Sequence, residues 1–436
     1  MMCINQVGSR KINKLVVVAV NDICKVIFNK SIWLYIFALL IILNANSLYI
    51  KDYSAGKIPD YAILVSSYIC MSVLVINQRM LSKKILMSTL KLCICVGIFV
   101  LILYAVNPYN INVNIQWLLR VAVLIIYFVI CKDNEHSLLM VYKNIMIFIA
   151  CESLFFWLFG SVLGIIEHTG YLYSTWAANE NSIKVCNSYY GIYFETQMTD
   201  SFGNAGLIRN TAIFTEGPMA SLNFCIALMV EYLLQQRPYM PFVVILVLAI
   251  LSTVSTTGYL VLLSLVLFKL IMCPVNTPIL KFVKFVGLPI ATIVIAGAGI
   301  YVLADKQDTM SLLLRVDDFI VGYNTWIEHP IFGWGAGNTY PLQQHMDFWR
   351  GEQTGFSNSI FWVLVQGGIY LAAPYIISSI YILLYLKKMK EYKALWFMIV
   401  YLIMLSFTIA PHLNITFVVF ISFVMYVYGK KSKSCR

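Results

Sequence analysis

Residues 88–106 read STLKLCICVGIFVLILYAV, and Lys91 is the single charged side chain among them. A helix rises about 1.5 Å per residue, so about 20 apolar residues cross the hydrocarbon core of a bilayer. This stretch meets that requirement, and lipid becomes the main solvent of the fold. Eleven further segments read the same way: 31–50, 59–77, 115–131, 144–166, 212–234, 239–256, 257–273, 282–304, 358–386, 394–410 and 412–429. Only short turns, Ser255-Thr256-Thr257-Gly258 and Pro411-His412, separate 239–256 from 257–273 and 394–410 from 412–429. The expectation is an all-α polytopic membrane protein of about twelve transmembrane helices. Residues 31–436 form its single transmembrane domain, and residues 1–30 a cytoplasmic amphipathic N-terminus. Within the latter, 12–28 carries Lys14 and Lys25 and reads as an interfacial helix.

Composition agrees along the whole length. Of 436 residues, 60% are hydrophobic and 12% charged, with mean hydropathy +0.80. Soluble domains average about 45–50% apolar and about 25% charged. A secreted disulfide scaffold, a disordered chain and an ordinary cytosolic enzyme are excluded. Most of the eleven cysteines, such as Cys70, Cys93, Cys95, Cys151 and Cys225, lie in apolar runs and act there as small hydrophobes. The net charge of +11 marks cytoplasmic ends rather than nucleic-acid binding. Basic residues collect on alternate connections: Arg10, Lys11, Lys14, Lys25 and Lys30; Arg79, Lys83 and Lys84; Lys132 and Lys143; Arg237; Lys281 and Lys284; Lys387, Lys388, Lys390 and Lys393; Lys430, Lys431, Lys433 and Arg436. Both termini are therefore expected inside.

Two connections on the other side are long, 167–210 and 305–357. Loops of that length usually carry function. The second contains Trp326, Phe332, Trp334, Trp349 and Phe356, and 311–328 has helical periodicity. A folded outer lid is expected, and with it an outward-facing site. No Walker-type loop, His-Glu-x-x-His or zinc-spaced Cys pair occurs. Gly333-Trp334-Gly335-Ala336-Gly337 follows no predicted strand. It reads as a tight turn whose backbone approaches a sugar or phosphate.

Three segments in order carry a resemblance. The first is Arg209-Asn210-Thr211-Ala212-Ile213-Phe214-Thr215-Glu216-Gly217-Pro218, leading into a span. The second is the turn Leu251-Ser252-Thr253-Val254-Ser255-Thr256-Thr257-Gly258. The third is Arg315, then Trp326 and Glu328-His329-Pro330-Ile331-Phe332-Gly333-Trp334-Gly335-Ala336-Gly337-Asn338, closing at Ser357-Asn358 before Gly367-Gly368-Ile369. Over roughly 200–390 the chain resembles the O-antigen polymerase/ligase superfamily of bacterial membrane glycosyltransferases. Ala212 and Ile213 stand where a Gly is common, Thr256 where Arg or Lys is frequent, and Ser357 where ligases carry His. The resemblance implies a multi-span glycosyltransferase fold of the GT-C-like class in the bacterial inner membrane. Its donor and acceptor would be undecaprenyl-pyrophosphate-linked glycans, bound with membrane lipids on the outer face. The product would be O-antigen, part of lipopolysaccharide, or a capsule. Neither a cofactor nor nucleic acid is expected; a chain-length regulator and a flippase are possible partners. Ser357 favours polymerase over ligase.

Transfer off a polyprenyl pyrophosphate releases an anionic leaving group, and fixed cations placed where that charge develops remove the need for a metal. Four arginines fall at outer depth: Arg120, Arg209, Arg315 and Arg350. Arg209 and Arg315, which also match the family pattern, are the catalytic candidates. Arg120 and Arg350 are substrate-binding candidates, and an ion pair between Arg120 and Glu216 is expected. Glu216, His329 and His345 are candidates for the base that accepts the sugar hydroxyl proton. Trp326, Trp334 and Tyr340 are candidate sugar platforms, although aromatic side chains more often form core. Gly335, Gly337, Asn338 and Asn358 complete the candidate binding set. A polysaccharide flippase or other transporter is the competing class. It would show pseudo-repeats and midplane charges, whereas here the polar residues gather at one face.

Overall fold

The computed structural model describes residues 30–77, 82–133, 135–176, 183–199, 206–272, 310–351, 354–408, 410 and 412–434. The interfacial helix expected at 12–28, the span expected at 282–304, Arg79, Lys281 and Lys284 lie outside the described residues. Thirteen α-helices are described: α1 Lys30–Leu43, α2 Ile58–Ile76, α3 Lys83–Val106, α4 Ile111–Cys131, α5 Ser137–Phe156, α6 Gly217–Met229, α7 Met240–Ser252, α8 Thr256–Met272, α9 Met310–Glu328, α10 Tyr340–Gln344, α11 Ser359–Lys388, α12 Tyr392–Leu405 and α13 Asn414–Ser434. Among the described residues seven helices are long and apolar enough to cross a membrane, and four shorter apolar ones, α1, α7, α8 and α12, accompany them. The chain is a polytopic helical membrane protein.

Caps and prolines set the helix starts. The Asn110 side chain accepts from the Asn112 and Val113 N–H groups, and Asn358 accepts from Ile360 and Phe361. Pro59, Pro218, Pro241 and Pro341 occupy first-turn positions, where an N–H would have no partner anyway. At the bundle centre lies α6, buried along nearly its whole length and packed by α5, α7 and α8. Its small residues Ala220, Ser221, Cys225 and Ala227 let neighbouring backbones come close. A Cβ at Gly258 of α8 would collide with Ser221.

Several expected boundaries are corrected. The first span, read as 31–50, ends as a helix at Leu43, because Asn44, Asn46 and Ser47 turn the chain into a short 3-10 segment, Leu48–Ile50. The sixth, read as 212–234, becomes helical only at Gly217; Glu216 is the extended residue before it. The tenth, read as continuous over 358–386, breaks at Gly368, which has φ +59° inside α11. Lys143, expected at an inside connection, is instead buried on α5 and paired with Glu231 at 2.7 Å. Glu231 also accepts from the Tyr239 N–H at 2.6 Å, so both charges are satisfied.

The long connection expected over 167–210 holds β-structure that helical periodicity could not announce. Strands β1 Gly170–Ser174, β2 Lys184–Tyr189 and β3 Tyr193–Glu195 form an antiparallel sheet, with Tyr171 opposite Asn187 and Ser188 opposite Phe194. Strands β4 Met198–Thr199 and β5 Leu207–Ile208 form a second, two-stranded sheet. The three-stranded sheet is sewn to the turn after α1, since Tyr53 N–H donates to Tyr173 O and Thr175 N–H to Lys51 O. It is also sewn to the segment before α6, through Phe194 N–H to Ala212 O and the Thr211 hydroxyl to Phe194 O. These bonds hold residues 209–216 rigidly at the end of the bundle that carries both long connections.

Helix α7 has 13 residues, rising about 20 Å, short of a hydrocarbon core of about 30 Å. The turn between α7 and α8 therefore stays inside the protein, where Thr253 and Ser255 are buried. A polar backbone turn at that depth needs partners.

Candidate functional site

Arg209 supplies those partners. Its Nε donates to Thr253 O at 2.9 Å and a terminal nitrogen to Val254 O at 3.0 Å. The guanidinium thus caps the end of α7, where carbonyls lack intrahelical donors. Arg209 itself is placed by β5 and by its N–H bond to Gln197 O. Gln197 also accepts the Gly217 N–H through its side chain at 2.9 Å. Gly217 is where the guanidinium passes the backbone: a Cβ there would stand 2.8 Å from Arg209 Nε and 2.8 Å from Thr253 O. Gly217→Ala is accordingly expected to push Arg209 off the turn. Activity per folded molecule should fall about tenfold or more, with the membrane level unchanged, as measured by turnover against an immunoblot.

Glu216 sits directly before Gly217. Burial raises its pKa above the ordinary carboxylate value, and Arg209, Arg315 and Lys184, in that order, pull it back. Its carboxylate makes no hydrogen bond among the described residues. Burial also weighs against the charges of Arg209 and Arg315, and Glu216 is the strongest favourable partner of each. Arg315 lies on α9, its guanidinium largely desolvated and without a hydrogen bond among the described residues. Two half-buried groups of opposite charge thus lack a hydrogen bond among the described residues, beside a third that is structurally anchored. Arg209, Arg315 and Lys184 act on Glu216, and Asp318 also acts on Arg315, so cations outnumber carboxylates in this cluster and favour an anion.

The lid expected from 305–357 is folded over the described residues, and α9 matches the helical pattern at 311–328. Arg350 fixes it. Arg350 donates Nε to Asp317 at 2.5 Å, a terminal nitrogen to Asp318 at 2.5 Å, and further bonds to Leu314 O and Gly355 O. Asp318 also accepts from the Ser357 N–H and hydroxyl. Arg350, expected to bind substrate, instead spends its guanidinium inside the lid. Gly322 of α9 lies against Phe361 of α11, where a Cβ would come within 2.5 Å. Arg315 is therefore carried on a helix held at both faces.

The remaining candidates sit elsewhere. Arg120 pairs with Asp60 at 3.3 Å, not with Glu216, because α4 faces the start of α2. The glycine turn uses its backbone against the chain itself. Trp334 N–H donates to Val365 O and Gly335 N–H to Gln366 O, while Ile369 N–H and Tyr370 N–H donate to Pro330 O and Ile331 O. These bonds replace the helical ones that the Gly368 break removes from α11. A Cβ at Gly333 would stand 2.5 Å from Gly367 N, and one at Gly337 would stand 3.0 Å from Val113. Gly335 faces Asn107 and Tyr109. The Trp326 and Trp334 indoles donate to Pro330 O and Thr325 O and pack in the lid core. Asn338 braces the same turn by donating to Trp334 O, and Asn358 caps α11. Tyr340 is exposed.

His329 is exposed and stands edge-on to Trp334 at 4.0 Å; His345 lies between Pro341 O at 3.0 Å and Glu328 at 3.1 Å. Among the described residues no interaction links either histidine to Glu216, Arg209 or Arg315. Gln197 and Lys184 belong to the site and lie outside the family-like segments, so their signal is tertiary. Gly217 stands next to Glu216 in the first of those segments, and Thr253 and Val254, whose carbonyls Arg209 meets, lie in the second. Among the described residues no group of three or more His, Cys, Asp or Glu is placed to hold a metal ion.

Residues 241–376 match the model of the O-antigen ligase family. The matched segment runs from α7 through the lid to the broken half of α11, and so contains Arg315 and the carbonyls that Arg209 caps. It bears out the resemblance to the O-antigen polymerase/ligase superfamily, and with it glycosyltransferase-type processing of glycans at a membrane. No curated protein matches the chain.

Proposed function

We propose that the protein is a polymerase joining undecaprenyl-pyrophosphate-linked oligosaccharide units on the outer face of the bacterial inner membrane. The observation that carries this reading is the cluster in which Arg315 and Glu216, both desolvated and without a hydrogen bond among the described residues, act on each other beside the anchored Arg209. Two guanidinium groups suit a leaving pyrophosphate, which they bind through planar forks and without losing their protons. A carboxylate with a raised pKa suits the proton of an incoming sugar hydroxyl. The bond between the donor's anomeric carbon and the pyrophosphate oxygen breaks as the acceptor oxygen bonds to that carbon. The hydroxyl proton passes to Glu216, and the electron pair leaves with the pyrophosphate beside the arginines. Polymerase is favoured over ligase because Ser357 stands at the ligase histidine position and gives its hydroxyl to Asp318.

Purified protein in lipid vesicles is expected to lengthen lipid-linked oligosaccharide without nucleotide sugar, with or without a chelator. Gel separation of chain lengths reads this. Loss of turnover on chelation, restored by a divalent cation, sinks the metal-independent form of the reading.

Glu216 gives a pH signature. Burial raises its pKa, so it gives up its proton at a higher pH than an ordinary carboxylate does. Only the deprotonated form accepts one, so the rate should rise with pH through that raised value and then level. Glu216→Gln should remove this limb and lower turnover by about 10²–10⁴. A pH profile of the variant that keeps the wild-type limb assigns the base elsewhere.

A further inference from the structure

The strands of the first long connection close into a ring. β1, β2 and β3 pair in order, and residues 51–53 border β1 through Tyr53 N–H to Tyr173 O and Thr175 N–H to Lys51 O. At the other edge, the Phe194 N–H of β3 donates to Ala212 O. The chain beyond Ala212 then meets the turn after α1: Leu48 N–H donates to Ile213 O, and Thr215 N–H to Asn46 O. Both edges of the sheet are thus paired, and Leu48, Cys186 and Phe194 pack together on its inner side. Alternation along the strands sends their neighbours to the other face. There Tyr173 stands opposite Val185, with Tyr53 beside it and Tyr171 two residues along, and all four are more than half exposed. Glu195, the one carboxylate on the three strands, is satisfied by the Ser161 and Tyr189 hydroxyls and the Asn187 amide. Beyond it, Tyr189 and Tyr193 pack on Phe156 of α5.

What covers this face follows from α1, which packs between α2 and α5. Its exposed apolar side chains, Ile32, Tyr35, Ile36 and Leu39, fall at helical spacing on one stripe, the surface that a bundle turns to lipid. The stripe stops at Leu39, and no residue from Leu40 to Ile50 is exposed. From Lys30 to Leu43 the helix rises about 21 Å, against a hydrocarbon core of about 30 Å. With Lys30 at the inner interface, where basic residues gather, α1 ends before the outer edge of the core. The ring is built on the turn that follows, and so continues the wall where the helix stops. A sheet tolerates lipid only when its edges are closed, as they are here. Tyrosine, apolar in its ring and polar at its hydroxyl, suits the bilayer interface. We propose that the open face of the ring is a lipid-contact surface, with Tyr53, Tyr171, Tyr173 and Val185 set among the phospholipids of the outer leaflet. The ring is bonded to Thr211, Ala212 and Ile213, so this contact fixes the depth of the segment that carries Arg209 and Glu216. The assignment does not depend on the chemistry proposed above.

The test uses the full chain, one copy per phospholipid nanodisc. Hydroxyl radicals generated in the water oxidise accessible tyrosines of the unaltered protein, and mass spectrometry reads the rates. A tyrosine reporter peptide in the same sample sets the rate in open water. Tyr53, Tyr171 and Tyr173 should label several-fold more slowly than the reporter. Labelling of Tyr171 and Tyr173 at the reporter's rate overturns the proposal. A benzophenone amino acid put in place of Tyr173 and activated by light then identifies the cover. A phospholipid adduct is expected. In nanodiscs holding two copies, or with polysaccharide added, an adduct to the second chain or to glycan and none to phospholipid overturns the assignment. The footprint needs no substitution, so it decides alone if the Tyr173 variant fails to fold.

Discussion

Arg315→Ala is expected to lower chain extension by about 10²–10³-fold while the protein stays inserted and folded, since that is the usual cost of removing one preorganised charge from a transition state. The structure sharpens this expectation. Arg315 has no hydrogen-bond partner among the described residues, so its removal breaks no hydrogen bond among them. The variant should match wild type in thermal unfolding. Arg315→Lys should rescue poorly, because an ammonium is a point charge and cannot present a planar fork to pyrophosphate. Arg209→Ala is expected to differ in kind. Arg209 also caps the turn after α7, so its loss should cost both activity and stability. If Arg315→Ala and Arg315→Lys both keep long chains at matched membrane levels, Arg315 is only a surface anchor of α9. The leaving-group site then has to be sought around Arg209.

The membrane fold was legible because hydropathy is additive along a helix: each span buries its own backbone bonds and needs only apolar side chains outside. The lid helix was legible for a related reason, since its periodicity separates Leu313, Val316 and Ile320 from Arg315, Asp317 and Asp318. The short sheets were not. Strand β3 is three residues long, and its sheet is placed by bonds to Lys51 and Ala212, far away in sequence. At the site, residue types were readable and assignments were not. The four arginines look alike in one dimension. Their roles diverge only when α4 turns Arg120 to Asp60, the lid turns Arg350 to Asp317 and Asp318, and the α7–α8 turn stops short of the surface to meet Arg209. The glycine turn is ambiguous for the same reason. A backbone free to approach a phosphate is equally free to approach a broken helix, and the Gly368 break in α11 takes it.

Arg350→Ala separates the two roles open to that residue. Its side chain is 1% exposed, and those of Asp317 and Asp318 are 9% and 2% exposed, so the pair energies are not screened by solvent. Removing the cation leaves two buried carboxylates, with Asp318 retaining its bonds from Ser357. Breaking a buried pair in this way costs about 3–5 kcal/mol. The expected result is a large fall in Tm in detergent and faster protease cleavage within 345–357, with activity lost because α9 no longer holds Arg315. A triple substitution, Arg350→Met with Asp317→Leu and Asp318→Asn, should recover much of the stability. It removes the uncompensated charges and keeps an acceptor for Ser357. If Arg350 instead bound substrate, Arg350→Ala would keep its Tm and lose affinity, and the triple variant would restore nothing. The two outcomes diverge in Tm, which reads the lid without reference to any substrate.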